Sequence, residues 1–392
     1  MQPPSKKAAV TIGALLLIIL GAALLSRRSG PAGGESPETS ADTATPSGSA
    51  QAAAAPSQPG GPGQPQERRP KEDVLPMPGC WEGVGEFDKN ASLDNFRQAL
   101  AAAAGAGDRE LAQYLQERLT ELVGEDAGKA LQVLDWAEKS NQPELGVYME
   151  ALKATGAVQD PKVAERLLKM GEDKGSQLMN RAAAMDALET QKRLSPANIQ
   201  RLKAVAMDLS ADSAGWVATR TLGRVMKEDY ERTGNFAPYW KELMDIGEKS
   251  EDMAVRLLAL EMPSYSNPII GGDSIERLST IMQKDKERDV REMAAFRLAV
   301  TETPEKALEA YRTAFPSEQD ECVRWALFRF AERAAGPRAL PVLAQMAAQD
   351  PRFLQDYQDF QRLYAEGTVD FARVWMGKEE RHPCIMEEGA PH

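Results

Sequence analysis

Two different features recur along this chain at one interval, half a repeat out of step, and together they restrict it to an array of similar helical units. The first is a proline at the head of an amphipathic run, directly behind a capping or turn residue: Asp160-Pro161, Ser195-Pro196, Thr303-Pro304 and Gly336-Pro337. Proline suits the first helical position because its missing N–H would have found no partner there. These prolines are 35, 108 and 33 residues apart, and 108 is three steps of 36. The second feature lies between them. Val255-Arg256, Val290-Arg291 and Val323-Arg324 each stand near the start of a helix rich in Ala and Leu, with fainter equivalents at Met179-Asn180 and Val217-Ala218. The steps are 38, 38, 35 and 33. A shared period of about 33–38 residues is expected of stacked helix pairs.

Periodicity along the body agrees. Between Ser92 and Met376 apolar residues return at helical spacing, with no stretch of period-two alternation. The spacing predicts helices of about 11–18 residues, among them 108–123, 126–139 and 196–208. A hydrophobic content of 42% with only 6% aromatic residues suits an alanine-rich helical core better than a β-sandwich. The expected class is all-α, with the repeat domain over 92–376, an irregular lead-in over 75–91 and a tail over 377–392.

The run Asp289-Val290-Arg291-Glu292-Met293-Ala294-Ala295-Phe296-Arg297-Leu298 resembles the second helix of a HEAT repeat, in which Asp is followed by Val-Arg and then by small residues and Leu. Residues 251–260 and 320–330 are similar but looser. The resemblance covers about 160–350, and degenerate pairs extend it toward 92 and 376. The tetratricopeptide signature, Trp-x-x-Leu-Gly-x-x-Tyr followed by Ala and Pro, does not recur. The resemblance implies a right-handed α-solenoid of antiparallel pairs, whose curved ribbon offers an extended surface to a protein or peptide. It also implies that Asp252, Asp289 and Asp320 cap their helices, while Arg256, Arg291 and Arg324 bridge to the neighbouring repeat. The competing reading is an arginine row that grips an anionic ligand.

Ahead of the body, behind a short segment 1–7, residues 8–25 form eighteen positions without a charge, framed by Lys6-Lys7 and Arg27-Arg28. At ~1.5 Å per residue such a helix is ~27 Å long, close to the ~30 Å hydrocarbon core of a bilayer. The exit Leu24-Leu25-Ser26-Arg27 has no small-x-small cleavage pattern, and no cysteine follows to carry a lipid, so an uncleaved signal anchor is expected. Residues 26–74 read as a disordered tether. Positions 29–72 contain no Leu, Ile, Val, Phe, Trp or Tyr, too little apolar surface to offset the entropy of ordering. A coil of that length spans roughly 35–40 Å. A short N-terminus before a large C-terminal body is the usual signal-anchor arrangement, which puts the body outside the cytoplasm. The expected location is thus the inner membrane, single-pass, with the body in the periplasm.

Charge and chemistry narrow the function. The whole chain has a net charge of −12; residues 1–74 carry seven Lys/Arg and six Asp/Glu, which leaves the body 40 basic against 53 acidic residues, a net of −13. An acidic body repels phosphate backbones, and no nucleic-acid partner is expected. Cys80, Cys322 and Cys384 with His382 and His392 show no CxxC or HxxxH spacing, so neither a metal site nor a cofactor is expected. His382, Cys384 and His392 share the tail but do not make up a ligand set. Cys80 and Cys384 stand in irregular segments at the two ends of the body, whereas Cys322 is in an apolar helix. In an oxidising compartment Cys80–Cys384 is a possible disulfide, although solenoid ends are normally far apart; three unpaired thiols are the alternative. Trp136, Trp216 and Trp325 sit in apolar helical runs and are expected in the core, whereas Trp81 lies in a loop-like stretch.

Catalysis is not expected. The Glu-Ser of a lytic transglycosylase occurs only at Glu35-Ser36, inside the tether, without a Gly-Leu-Met-Gln stretch. No Gly-x-Ser-x-Gly elbow or P-loop is present. The function expected is therefore a membrane-anchored, non-catalytic binding or scaffold protein that engages a protein partner in a cell-envelope assembly. Left open are an envelope enzyme or glycan-binding protein with a carboxylate-lined concave surface, and a membrane-tethered adaptor that faces the cytoplasm.

Overall fold

The computed structural model describes residues 87–89, 91–106, 109–262, 271–367, 374 and 384. The expected membrane span 8–25, the tether 26–74, Cys80, Trp81, His382 and His392 lie outside them. Among the described residues the chain is helical without a β-strand, and no helix is long and apolar enough to cross a membrane.

Between Leu93 and Glu366 sixteen α-helices follow one another among the described residues. The first eight are α1 Leu93–Ala106, α2 Arg109–Val123, α3 Ala127–Ala137, α4 Glu144–Lys153, α5 Pro161–Glu172, α6 Leu178–Ala187, α7 Pro196–Ala206 and α8 Ser213–Thr233. The second eight are α9 Ala237–Lys249, α10 Met253–Glu261, α11 Ser274–Lys284, α12 Arg288–Leu298, α13 Pro304–Ala314, α14 Glu321–Ala335, α15 Leu340–Gln349 and α16 Leu354–Glu366. The predicted helices 108–123, 126–139 and 196–208 correspond to α2, α3 and α7.

Each odd-numbered helix packs on the even one that follows it. From α3 to α15 each odd helix also touches the next odd one, and from α2 to α14 each even helix touches the next even one. The body is thus two layers of helices, and each pair shares apolar surface with the pairs on either side. The sharing is necessary, because a single pair buries too little to stand alone. One core of buried residues runs from Phe87 to Cys384, with alanine at many of its positions. Small residues bring the helices close. Gly223 in α8 is such a point, where an added Cβ would meet Met262 Cβ at 2.5 Å.

Capping sets several helix starts. Asp126, Asp160 and Ser195 accept backbone N–H groups at the heads of α3, α5 and α7. Pro161 and Pro196 occupy the first turn as predicted. Pro304 also opens its helix as predicted, although Thr303 makes no side-chain cap ahead of it; Pro337 differs, because it belongs to a 3-10 turn, Gly336–Ala339, with α15 starting only at Leu340. Gly336 has φ +56°, a conformation that favours glycine, and so ends α14. At 21 residues, α8 exceeds the predicted helix length.

The cysteines require a correction. Cys384 is bonded to Cys322 in α14, with Cα atoms 5.5 Å apart, so it is not available to Cys80. The expectation failed because it sought a partner at the other end of the body. Cys384 instead meets a helix 62 residues earlier in the sequence, where it is 3% exposed.

Candidate functional site

The three recurrent arginines share one environment. Arg256 Nε and Nη2 hold the two oxygens of Asp285 at 3.1 and 3.2 Å, and Nη1 donates to the carbonyls of Ser250 and Glu251. Arg291 holds Glu318 in the same way at 2.9 and 3.3 Å and donates to the carbonyls of Asp285 and Lys286. Arg324 donates to Asp350 at 3.0 Å and to the carbonyls of Phe315 and Glu318. In each case an even helix clamps its own entry turn and the acid that ends the odd helix of the next pair, or lies just beyond it. The carboxylate and the carbonyls occupy the guanidinium donors, so the row is built for stacking rather than for gripping an anion.

The three aspartates do not share one role. Asp252 accepts the backbone N–H groups of Ala254 and Val255, and Asp320 accepts those of Cys322 and Val323. Asp289 lies inside the first turn of α12 and pairs with Arg288, so its expected capping role is corrected. Counting back four residues from each arginine gives Asp252, Asp320 and Glu287, and Glu287 makes no side-chain cap. The carboxylate of Asp285 reaches the backbone N–H of Glu287 instead.

Ion pairs beyond those of the recurrent arginines run along both layers. On the odd helices Arg166 takes Asp135 and Glu138, and Arg201 takes Glu165 and Glu172. Lys203 takes Glu242 and Asp245, and Arg277 takes Asp245 and Glu248. Burial would raise the carboxyl of Asp245, but hydrogen bonds from Lys203 and Arg277 outweigh it and hold it at about 2. On the even layer Lys153 and Arg220 close on Asp186 and Glu189 from opposite sides. A period-36 lattice shows which positions recur. It does not show which acid of the next repeat faces each base.

An open groove of about 690 Å³ lies beside Arg256, lined also by Leu209, Glu248, Glu251, Lys284 and Asp285. A smaller one of about 160 Å³ lies beside Arg291. Both have mixed charge, and neither lining contains a histidine or a cysteine. The arginine in each lining, Arg256 or Arg291, is already paired in the clamp just described. Ligand atoms of Glu292, Asp320 and Cys322 lie within 4.8 Å of one another, but the Cys322 sulfur is committed to Cys384 and the Asp320 carboxylate to its cap.

Aromatic residues and arginines pair repeatedly. Trp325 is 1% exposed and lies 3.9 Å under the Arg329 guanidinium. Trp136 and Trp216 are only partly buried, a departure from the expected core positions, and each faces an arginine, Arg97 and Arg220 respectively. Arg333 lies 4.7 Å over Phe296, which meets Phe330 edge to face at 5.5 Å. Trp240 donates its indole N–H to Ser274 Oγ at 2.9 Å and faces Arg297 at 5.9 Å. In comparisons with known proteins, no family model and no curated protein matches the sequence.

Proposed function

We propose that the chain is a membrane-anchored, non-catalytic binding or scaffold protein, in which a HEAT-like right-handed solenoid of antiparallel pairs offers its surface to a protein partner of a cell-envelope assembly. The observation that carries this reading is the repetition of one joint. Arg256, Arg291 and Arg324 fasten three successive pairs to their neighbours with the same clamp. Polar chemistry in the grooves is spent on stacking, which suits a body whose product is an extended surface. The disulfide Cys322–Cys384 supports placement outside the reducing cytoplasm, where such bonds persist. Residues 8–25 and 26–74 then act as anchor and tether.

Crosslinking in cells, with the full chain and a variant lacking 92–376, tests the reading. A protein crosslinked only through the body is the expected result; the same capture by both forms overturns it. An alkaline phosphatase fused after His392 tests the topology, being active only if the C-terminus is exported.

A further inference from the structure

Arg297, near the C-terminal end of α12, is 1% exposed. A guanidinium stays protonated in proteins, and a buried charge needs a counter-charge or a set of hydrogen bonds. Among the described residues Arg297 has neither: Nε and Nη2 are buried and make no hydrogen bond. Burial, with repulsion from Arg333, lowers it to about 9, so it remains a cation at neutral pH. The ring of Trp240 offers a π face at 5.9 Å. Such a contact supplies about 0.5–2 kcal/mol, against a desolvation cost of several kcal/mol for a buried ion. Trp240 therefore does not balance the charge.

The rest of the molecule shows what this edge of an arginine accepts. Arg256, Arg291 and Arg201 each present Nε and Nη2 side by side to the two oxygens of one carboxylate, at 3.1 and 3.2 Å, 2.9 and 3.3 Å, and 2.6 and 2.6 Å. On Arg297 the atoms without partners are those same two nitrogens. The planar fork of a guanidinium matches a carboxylate in shape, and one monovalent carboxylate matches one buried cation in charge.

We propose that the Nε–Nη2 edge of Arg297 is a binding site for a carboxylate group, with Trp240 as its apolar wall and the exposed Arg333, over Phe296, as the cation that draws the anion in. Both nitrogens are out of reach of solvent, so the ligand enters only when a covering side chain shifts. The carboxylate comes either from a small dissolved acid or from a peptide. The site stands whether or not the body engages a protein partner.

The test uses the full chain, melted in sodium acetate and in sodium chloride at equal ionic strength, with the Nε–H resonance of Arg297 followed in parallel. A peptide with a free C-terminal carboxylate and no acidic side chain is compared with its amidated form. Acetate or the free-acid peptide should raise the melting temperature by about 2–4 °C over its control and move the Nε–H signal. Arg297→Met should melt no lower than the parent in chloride, because it removes an unbalanced buried charge, and should lose the carboxylate response. A response to acetate assigns a dissolved acid; a response to the free-acid peptide alone assigns a peptide-borne group. If neither moves the parent's melting temperature or its Nε–H signal, the proposal fails. It fails equally if Arg297→Met keeps the full response.

Discussion

Arg291 shows what one side chain contributes to the repeat. It joins the acid beyond one odd helix to the turn before its own helix, and both partners are largely buried, 14% and 11% exposed at the side chain. Removing it leaves the Glu318 carboxylate and two carbonyls short of donors, which costs more than the pair itself is worth. Arg291→Ala should therefore lower stability by about 2–4 kcal/mol in urea unfolding. Adding Glu318→Gln should recover part of the loss, since a neutral amide tolerates burial without a cation and its oxygen can still accept from the backbone N–H groups of Gln319 and Asp320. Additive losses in the double variant would contradict the clamp. The arginines were legible in the sequence because they recur at one position of the repeat. Their acids were not, because Asp285, Glu318 and Asp350 lie 29, 27 and 26 residues downstream and belong to the next unit. Arg297 was invisible in another way. It stands in the run that resembles the HEAT helix, and only its tertiary surroundings set it apart from Arg288 and Arg291 on the same helix, which are less buried and have acidic partners.

At the scale of the helix, the chemistry of the start decides what the sequence reveals. Where Asp or Ser precedes the first turn and its oxygen reaches the backbone N–H groups, as at Asp160 and Ser195, the predicted and observed starts agree. Where the signal is proline alone it locates a turn without fixing the helix, as at Pro337, because proline fits a 3-10 turn as well as an α-helix. Asp289 misleads for a related reason: the match to Val-Arg is good, but the cap position belongs to the residue four before the arginine, and that residue is Glu287. The longer glutamate side chain is a poorer cap than aspartate. The difference is measurable. Asp320→Ala and Asp252→Ala should each cost about 1 kcal/mol, and Asp289→Ala, which loses only an exposed pair with Arg288, no more than about 0.5 kcal/mol. Equal losses at the three sites would restore the capping role to Asp289.

Across the whole molecule, stability is a property of neighbours, and two consequences follow from where the joints lie. The first concerns acid. Asp245 is held at about 2 by Lys203 and Arg277, which outweigh its burial, and Asp350 at about 2, chiefly by hydrogen bonds from Arg352. An unperturbed aspartate titrates near 3.8. A carboxyl lowered by folding contributes stability that is complete above its unfolded value and is lost as pH falls toward its folded one. The melting temperature should therefore drop between about pH 4 and pH 2, and the drop should shrink in Asp245→Asn. Glu332 works in the opposite sense: burial raises it, so its share is complete below its ordinary value and is lost as pH rises through the folded one. The second consequence concerns the C-terminal end. The bond from Cys322 to Cys384 closes a span of 62 residues, for which loss of unfolded-chain entropy suggests about 4 kcal/mol before any offset in the folded state. In a stack where each pair touches only its neighbours, that contribution stays local. Reduction, or Cys384→Ser, should speed amide exchange over α14 to α16 and leave α3 to α7 as protected as before. A uniform loss of protection along the body would mean that the pairs unfold as one cooperative unit and that the nearest-neighbour picture of this stack is wrong.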